Sequence, residues 1–198
     1  MEKKKEKSGV LYDIYSVLHD LVYILAAVTL VFVFCIRLVG VNGESMLPTL
    51  KDNDYLALQS NVIMGELEYG DIIVARKMAF RGGEPVVKRV IATEGQTVLI
   101  QRDADGVIRA YVDGVALEED YIYEAMEERW YALPIEVTVE PDHVFVMGDN
   151  RNDSADSRSS ELGQIHVDEI LGKVLFVVVP GQDPITGERD FSRIGKVR

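Results

Sequence analysis

Three short stretches of this sequence concentrate side chains that can do chemistry. The first is Gly43-Glu44-Ser45-Met46-Leu47-Pro48-Thr49-Leu50. Pro48 prevents a regular helix and Gly43 permits a close backbone approach, so Ser45 can sit on an exposed bend with its own N–H free to donate. Such a bend suits a nucleophile, although a serine that stood alone after a helix would read as an ordinary turn. The second is Val86-Val87-Lys88-Arg89-Val90-Ile91. Strand alternation puts Val86, Lys88 and Val90 on one face and Val87, Arg89 and Ile91 on the other, so at least one cation must point into apolar surroundings or along a cleft. Desolvation lowers a lysine from its free value of about 10.4, and a neutral Lys88 could act as general base near neutral pH. Taken alone, the stretch also fits an edge strand guarded against aggregation by Lys and Arg. The third is Met147-Gly148-Asp149-Asn150-Arg151-Asn152-Asp153-Ser154-Ala155-Asp156-Ser157-Arg158. Its polar residues are too dense for a plain turn and suit a hydrogen-bonded cluster that orients an active site. Asp149, Asp153 and Asp156 could instead supply oxygens to a divalent cation, but the spacing lacks the glycine and twelfth-position glutamate of an EF-hand. No metal and no other cofactor is expected.

These residues need elements to position them, and the first is apolar. Leu21 to Ile36 is uncharged, with only Tyr23 and Thr29 as polar interruptions. As a helix it is about 24 Å long, and continuing through Arg37 to Val41 extends it to about 31 Å, near the hydrocarbon thickness, with Arg37 snorkelling to the headgroups. The expected organisation is a cytoplasmic N-terminus and amphipathic lead-in over 1–20, a transmembrane anchor over 21–41 and an extracytoplasmic catalytic domain over 42–198. In the lead-in, Leu11, Ile14 and Leu18 fall at helical spacing while Tyr12 and Tyr15 suit a membrane interface. A cleaved signal peptide would have a shorter apolar region and a small-residue cleavage site, which Arg37-Leu38-Val39-Gly40 does not offer. Lys3, Lys4, Lys5 and Lys7 precede the span, whereas only Arg37 and Lys51 follow it closely, so the N-terminus is expected in the cytoplasm of a single-pass cell-membrane protein.

Beyond residue 54 the apolar pattern has the short period of strands: Tyr55 to Leu58, Ile72 to Ala75, Val86 to Ala92, Thr97 to Gln101, Ile135 to Val139, His143 to Met147 and Ile170 to Val179. Asp105-Gly106 and Asp113-Gly114 are hairpin signals, so residues 97–117 read as a three-stranded meander. The fold class is therefore mainly β, an antiparallel domain behind one N-terminal helix. Residues 118–134, with Glu118, Glu119, Asp120, Tyr121, Tyr123, Trp130 and Tyr131, are expected as a surface excursion. The formal charge of the 198 residues is −12. The first forty residues hold five basic and four acidic side chains, leaving −13 on the remainder, a field that repels phosphate backbones and argues against a nucleic-acid partner. Cys35 is the only cysteine, which removes disulfide frameworks and thiolate metal clusters.

Together the three stretches resemble the bacterial type I signal peptidase family. The resemblance rests on Ser-Met-x-Pro-Thr-Leu after a membrane span, Gly70-Asp71-Ile72-Ile73-Val74, Lys88-Arg89-Val90 and Gly-Asp-Asn-x-x-x-Ser-x-Asp-Ser-Arg, in that family's order. It implies a β-rich core shared with LexA-type self-cleaving proteins, and a serine endopeptidase that removes signal peptides from preproteins at Ala-x-Ala sites beside the lipid bilayer. By that likeness Ser45 is the nucleophile and Lys88 the general base. Ser154 would hold the lysine nitrogen, while Asp156 with Arg158 and Asp149 with Arg89 would form supporting ion pairs, leaving Lys88 the unpaired cation. His19, His143 and His166 stand apart from every motif. Some members place an oxyanion-hole serine two residues before the nucleophile. Here that position is Gly43, so the Ser45 N–H is the expected donor and Gly43 the candidate second. Val41, Met46, Leu50 and Val87 would line pockets for small side chains. The soluble LexA-type relatives and a catalytically silent, anchored binding domain are the alternatives; the membrane span argues against the first, and absence of turnover would mark the second.

Overall fold

A computed structural model describes residues 2–129, 131–183 and 186–197. Trp130, and the side chains of Lys3, Lys4, Lys5, Lys7 and Leu11, fall outside the described residues. Helix α1 spans Glu2–Phe34, and twelve strands follow: β1 (Ile36–Gly40), β2 (Tyr55–Ser60), β3 (Ile72–Ala75), β4 (Val86–Thr93), β5 (Thr97–Arg102), β6 (Ile108–Val112), β7 (Val115–Ala116), β8 (Ile135–Thr138), β9 (His143–Met147), β10 (Ile165–His166), β11 (Ile170–Val179) and β12 (Gly195–Lys196).

The lead-in expected over 1–20 and the anchor expected over 21–41 are not separate elements. α1 runs through the first and stops at Phe34, and its stretch Tyr12–Phe34, 23 residues, is long and apolar enough to cross a membrane. At 1.5 Å per residue that is about 34 Å, so the span reaches its length from the N-terminal side. Arg37 to Gly40, expected to continue the helix, instead pair antiparallel with β2, Arg37 opposite Leu58 and Gly40 opposite Tyr55. The physical reason is the edge of the sheet: pairing satisfies backbone groups along β2 that a continued helix would leave open.

Every described ladder is antiparallel. The larger sheet runs β1-β2-β11-β3-β4-β9-β10, with β12 joined to β11, and the smaller runs β7-β6-β5-β8. β11 pairs on both sides, with β2 and β3, which fits its long apolar sequence. The meander forms as expected, with Asp113 and Gly114 both at positive φ (51° and 79°) in the β6–β7 turn, and β8 adds a fourth strand against β5. Apolar side chains of β4 and β9 pack against the smaller sheet through Ile91, Phe145, Val98 and Ile100. A second cluster joins Met46 and Leu50 to Leu56, Leu58 and Val174, so the segment bearing Ser45 is pinned to the large sheet by its own apolar residues.

The described residues of 118–134 are mostly exposed, as a surface excursion would be, but the stretch is anchored at several points. Met126 is buried among residues of both sheets, the N–H of Tyr123 donates to the Asp149 carbonyl at 3.0 Å, and Glu119 accepts from the buried Arg151 guanidinium at 2.7 Å. Asn152 binds the same stretch three times, accepting from Glu127 N and donating to Glu124 Oε1 and Ala125 O. One of its carboxylates, Glu119, answers a buried arginine, while Glu118, Asp120, Glu124, Glu127 and Glu128 face solvent.

Candidate active site

Ser45 lies half-buried between exposed Glu44 and buried Met46, in a segment without regular structure that Pro48 keeps from becoming helical. Lys88 comes from the middle of β4, opposite Ile73 of β3, and is 4% exposed. Its Nζ donates to Ser45 Oγ at 2.7 Å and to the Val87 carbonyl at 3.0 Å. Among the described residues no carboxylate lies within ion-pair distance of Nζ, whereas the other buried cations are paired: Arg89 with Asp149 at 2.7 Å, Arg158 with Asp156 at 2.7 Å, and Arg151 with Glu119.

Burial pushes Lys88 down to about 8 from 10.5; the Asp156 charge opposes the fall and the charges of Arg81 and Arg158 add to it. The paired carboxylate behaves differently. Burial pushes Asp156 up, but the Arg158 guanidinium and the Gly148 N–H, with smaller help from its neighbours, together hold it below the ordinary carboxylate range. A neutral amine next to a hydroxyl can take its proton, so the neutral form of Lys88 is the competent one, about a tenth of molecules at pH 7 and half near pH 8. The expected result is a kcat/KM that climbs with pH through about 8 and levels above it, measured on a soluble peptide. Substituting Asn for His143 or His166 should leave that limb in place. A limb near the free-lysine value would contradict the burial described here. Stability follows the same sign: between about 8 and 10.5 the unfolded lysine holds a proton that the folded one has lost, so this group's contribution to stability rises with pH across that window.

The strand end after β9 is built around Gly148. A Cβ there would lie 2.3 Å from Ser154 Oγ and 2.4 Å from the Ser45 carbonyl, so only glycine lets the two segments meet. Two further contacts fix the approach: Asn150 N donates to Ser45 O at 3.1 Å, and Gly148 N donates to Asp156 Oδ2 at 3.0 Å. On the other flank, Thr49 Oγ1 donates to Asp149 Oδ2 at 2.5 Å, and Arg89 Nε and Nη2 both reach the same carboxylate. The ion pair thereby joins the β4 strand that carries the lysine to the segment that carries the serine. Gly148, Asn150 and Thr49 were not singled out in the sequence. The signal available was the invasion of a dense polar stretch by one glycine directly after an apolar strand.

Three expectations differ from the structure. Ser154 Oγ is buried but makes no hydrogen bond among the described residues, and Lys88 uses Ser45 and Val87 instead. The Gly43 N–H donates to Asp52 Oδ1 at 2.8 Å, so it is not directed at the serine; a positive φ of 98° turns it that way. The Ser45 N–H enters no hydrogen bond among the described residues. Leu50 is fully buried in the core and lines no groove, because it packs beneath the serine segment with Leu56 and Leu58. Asp149 and Asp156 are held by arginines while Asp153 is exposed, so the three carboxylates offered for a cation do not converge, and no group of metal-binding side chains occurs among the described residues.

The serine and lysine open onto a groove of about 350 Å³. Val41, Met46 and Val87 line it, joined by Val39, Val86 and Phe80, with Arg81, Glu84 and Asp153 also among the lining residues. β1 and β4 stand four places apart in the sheet, yet Val39 and Gly40 share this groove with Val86 to Lys88. The sheet therefore curls, and the serine sits where its two arms face each other.

A β domain that holds a serine hydroxyl against a buried amine on the wall of an open groove has the architecture of a serine protease. A family model described as signal peptidase, peptidase S26, matches residues 14–179. The chain belongs to that family. It is 38% identical over 145 residues to a probable signal peptidase I-1 of Synechocystis sp., covering 70% of this chain and 68% of that protein. It is 34% identical over 159 residues to signal peptidase I U of Bacillus subtilis, covering 75% and 81%, and 32% identical over 186 residues to a signal peptidase I of Bacillus amyloliquefaciens, covering 90% and 93%. A solved signal peptidase I from Enterococcus faecalis aligns with 55% of this chain and 97% of its own at 29% identity and a TM-score of 0.44; the family assignment rests on the sequence matches.

Proposed function

We propose that this chain cleaves N-terminal signal peptides from exported preproteins, with Ser45 as nucleophile and Lys88 as general base. The observation that carries the reading is the 2.7 Å contact between Lys88 Nζ and Ser45 Oγ on the wall of a groove lined by both apolar and charged residues. With Lys88 neutral, the Ser45 O–H donates to Nζ. As Oγ attacks the scissile carbonyl the proton passes to the amine, and the oxyanion forms beside the Ser45 N–H. Collapse of the tetrahedral intermediate breaks the C–N bond, and Lys88 returns its proton to the leaving amine. A water then repeats the sequence on the acyl ester, with Lys88 again as base.

Asp149 with Arg89 and Asp156 with Arg158 hold the two segments in place. The apolar part of the groove, where Val41 and Val87 present stiff β-branched side chains beside Met46, favours small side chains such as those of Ala-x-Ala. α1 serves as a membrane anchor, its lysine-rich start in the cytoplasm and the catalytic domain outside, where a signal peptide crossing the same bilayer presents its C-terminal end. Incubating the detergent-solubilised chain with a preprotein and sequencing the product tests the reading. One new N-terminus directly after an Ala-x-Ala segment is expected. Cleavage elsewhere, or none at any pH up to 9, would refute it.

A further inference from the structure

The segment after β11 lies beyond the residues that match the family model, which end at 179, yet it grips the serine-bearing segment from behind. The centre of the grip is Asp54, which is fully buried. Its carboxylate accepts from Lys51 N at 2.8 Å, Gly181 N at 2.7 Å, and the Arg193 guanidinium at 2.9 and 2.6 Å. Arg193 Nη2 also reaches the Thr49 carbonyl at 3.3 Å. Gly181 approaches so closely that a Cβ there would lie 2.1 Å from the Asp52 carbonyl. The turn holding Asp54 in turn closes the serine segment at its start. Val41 N donates to Asp54 O, Asn53 N to Val41 O, and Gly43 N to Asp52 Oδ1, at 2.8, 3.0 and 2.8 Å.

Thr49 stands between two restraints. Its hydroxyl is held by Asp149, on the lysine's side of the site, and its carbonyl by Arg193, on the side of the chain's end. Ser45 lies inside the loop that these contacts close. A loop of fourteen residues between β1 and β2, without regular hydrogen bonding of its own, has many conformations to lose, and a reacting pair must be held within a fraction of an ångström of its productive geometry.

We propose that the described residues of the stretch after β11, gripping through Gly181 and Arg193, form a clasp that fixes Ser45 at reacting distance from Lys88, with Arg193 as the positioning residue acting through Asp54 and Thr49. This rests on Ser45 being the nucleophile. Arg193 is not among the residues that line the groove and does not touch the reacting atoms, so its loss acts chiefly on the turnover step.

The test uses the full chain in detergent and two reactions: cleavage of a soluble peptide carrying an Ala-x-Ala site, and acylation of Ser45 by a small activated ester, each expressed per folded molecule. Arg193→Met should lower kcat and the acylation rate about ten-fold with KM within about two-fold. Arg193→Lys, which can reach Asp54 but not Asp54 and Thr49 together, should recover part of this and remain about three-fold below the parent. Lys196→Met, an exposed change in the same segment, should alter neither. An acylation rate in folded Arg193→Met equal to the parent's would overturn the clasp, as would a loss accounted for by unfolded protein. Should Arg193→Met fail to fold, Arg193→Lys decides, and an unchanged kcat there overturns it. A parent that is acylated at Ser45 but cleaves no preprotein would refute the proposed function while leaving the clasp to be judged by the acylation rates.

Discussion

Folded Ser45→Ala and folded Lys88→Met protein should each lose at least about 10³ in kcat/KM against a preprotein, and the double variant should lose little more. A serine hydroxyl without a base is a weak nucleophile, and an amine without the serine has nothing to activate, so the two act as one unit and their losses do not add. The structure makes Lys88→Met the more informative substitution. Lys88 is buried, has no ion-pair partner among the described residues, and is already driven towards its neutral form. Methionine fills the same space without the cost of desolvating an ammonium, so the variant's midpoint of unfolding should equal or exceed the parent's. Activity and stability should therefore move apart, which a general disruption of the fold cannot produce. Substantial cleavage by folded Lys88→Met protein would remove the lysine from the mechanism.

The second large effect concerns the Arg89–Asp149 pair, where activity and stability should fall together. Both side chains are almost wholly buried, at 2% and 0% exposure. Arg89→Met leaves the Asp149 carboxylate in the interior with its guanidinium partner gone, and such losses cost about 3–5 kcal/mol. Thr49 loses a well-anchored acceptor at the same time, so the serine segment is loosened as well. Replacing both members, as Arg89→Met with Asp149→Leu, should restore much of the stability because no charge is left stranded. It should not restore cleavage, because the link from β4 to Thr49 is not rebuilt. Denaturant unfolding of the detergent-solubilised variants reads the first quantity and peptide cleavage the second. A single-variant loss below about 1 kcal/mol would show that water or a neighbouring group compensates the carboxylate.

What could be read from the sequence, and what could not, divides by the range of the contacts involved. β3, β9 and β11 have the bounds their apolar runs suggest, and the β6–β7 turn follows from Asp113-Gly114 alone, because these features depend on neighbours a few residues away. Residues 36–40 were ambiguous for the same reason. A short apolar run carries no period that separates a helix end from a strand, and its partner β2 begins fifteen residues further on. The pairing of Asp149 with Arg89 and of Asp156 with Arg158 in the folded chain coincides with what the family likeness implied, not with anything in their spacing. Long-range contacts left no such trace. Arg151 meeting Glu119, Arg193 meeting Asp54, and Gly148 meeting the Ser45 carbonyl join residues 32, 139 and about 100 positions apart. Leu50 shows the limit most plainly, since nothing in its identity distinguishes a core side chain from one that lines a groove.

Between Phe34 and Ile36 there is one residue. The N–H of Cys35 donates to Val31 O at 2.8 Å, in the last turn of α1, while its carbonyl accepts from Ser60 N at 2.9 Å, at the end of β2. Helix and sheet thus share a single residue, its N–H bonded into the helix and its carbonyl into the sheet. In a bilayer such a junction behaves as a rigid crank. A helix of about 34 Å tilts more in a thin membrane than in a thick one, and each degree of tilt is handed on to β1 and so to one wall of the groove. With α1 in a bilayer, lipid thickness would set the height and angle at which Ser45 meets its substrate, and the chain reconstituted in vesicles of short-chain and long-chain lipids is expected to cleave one preprotein with different patterns.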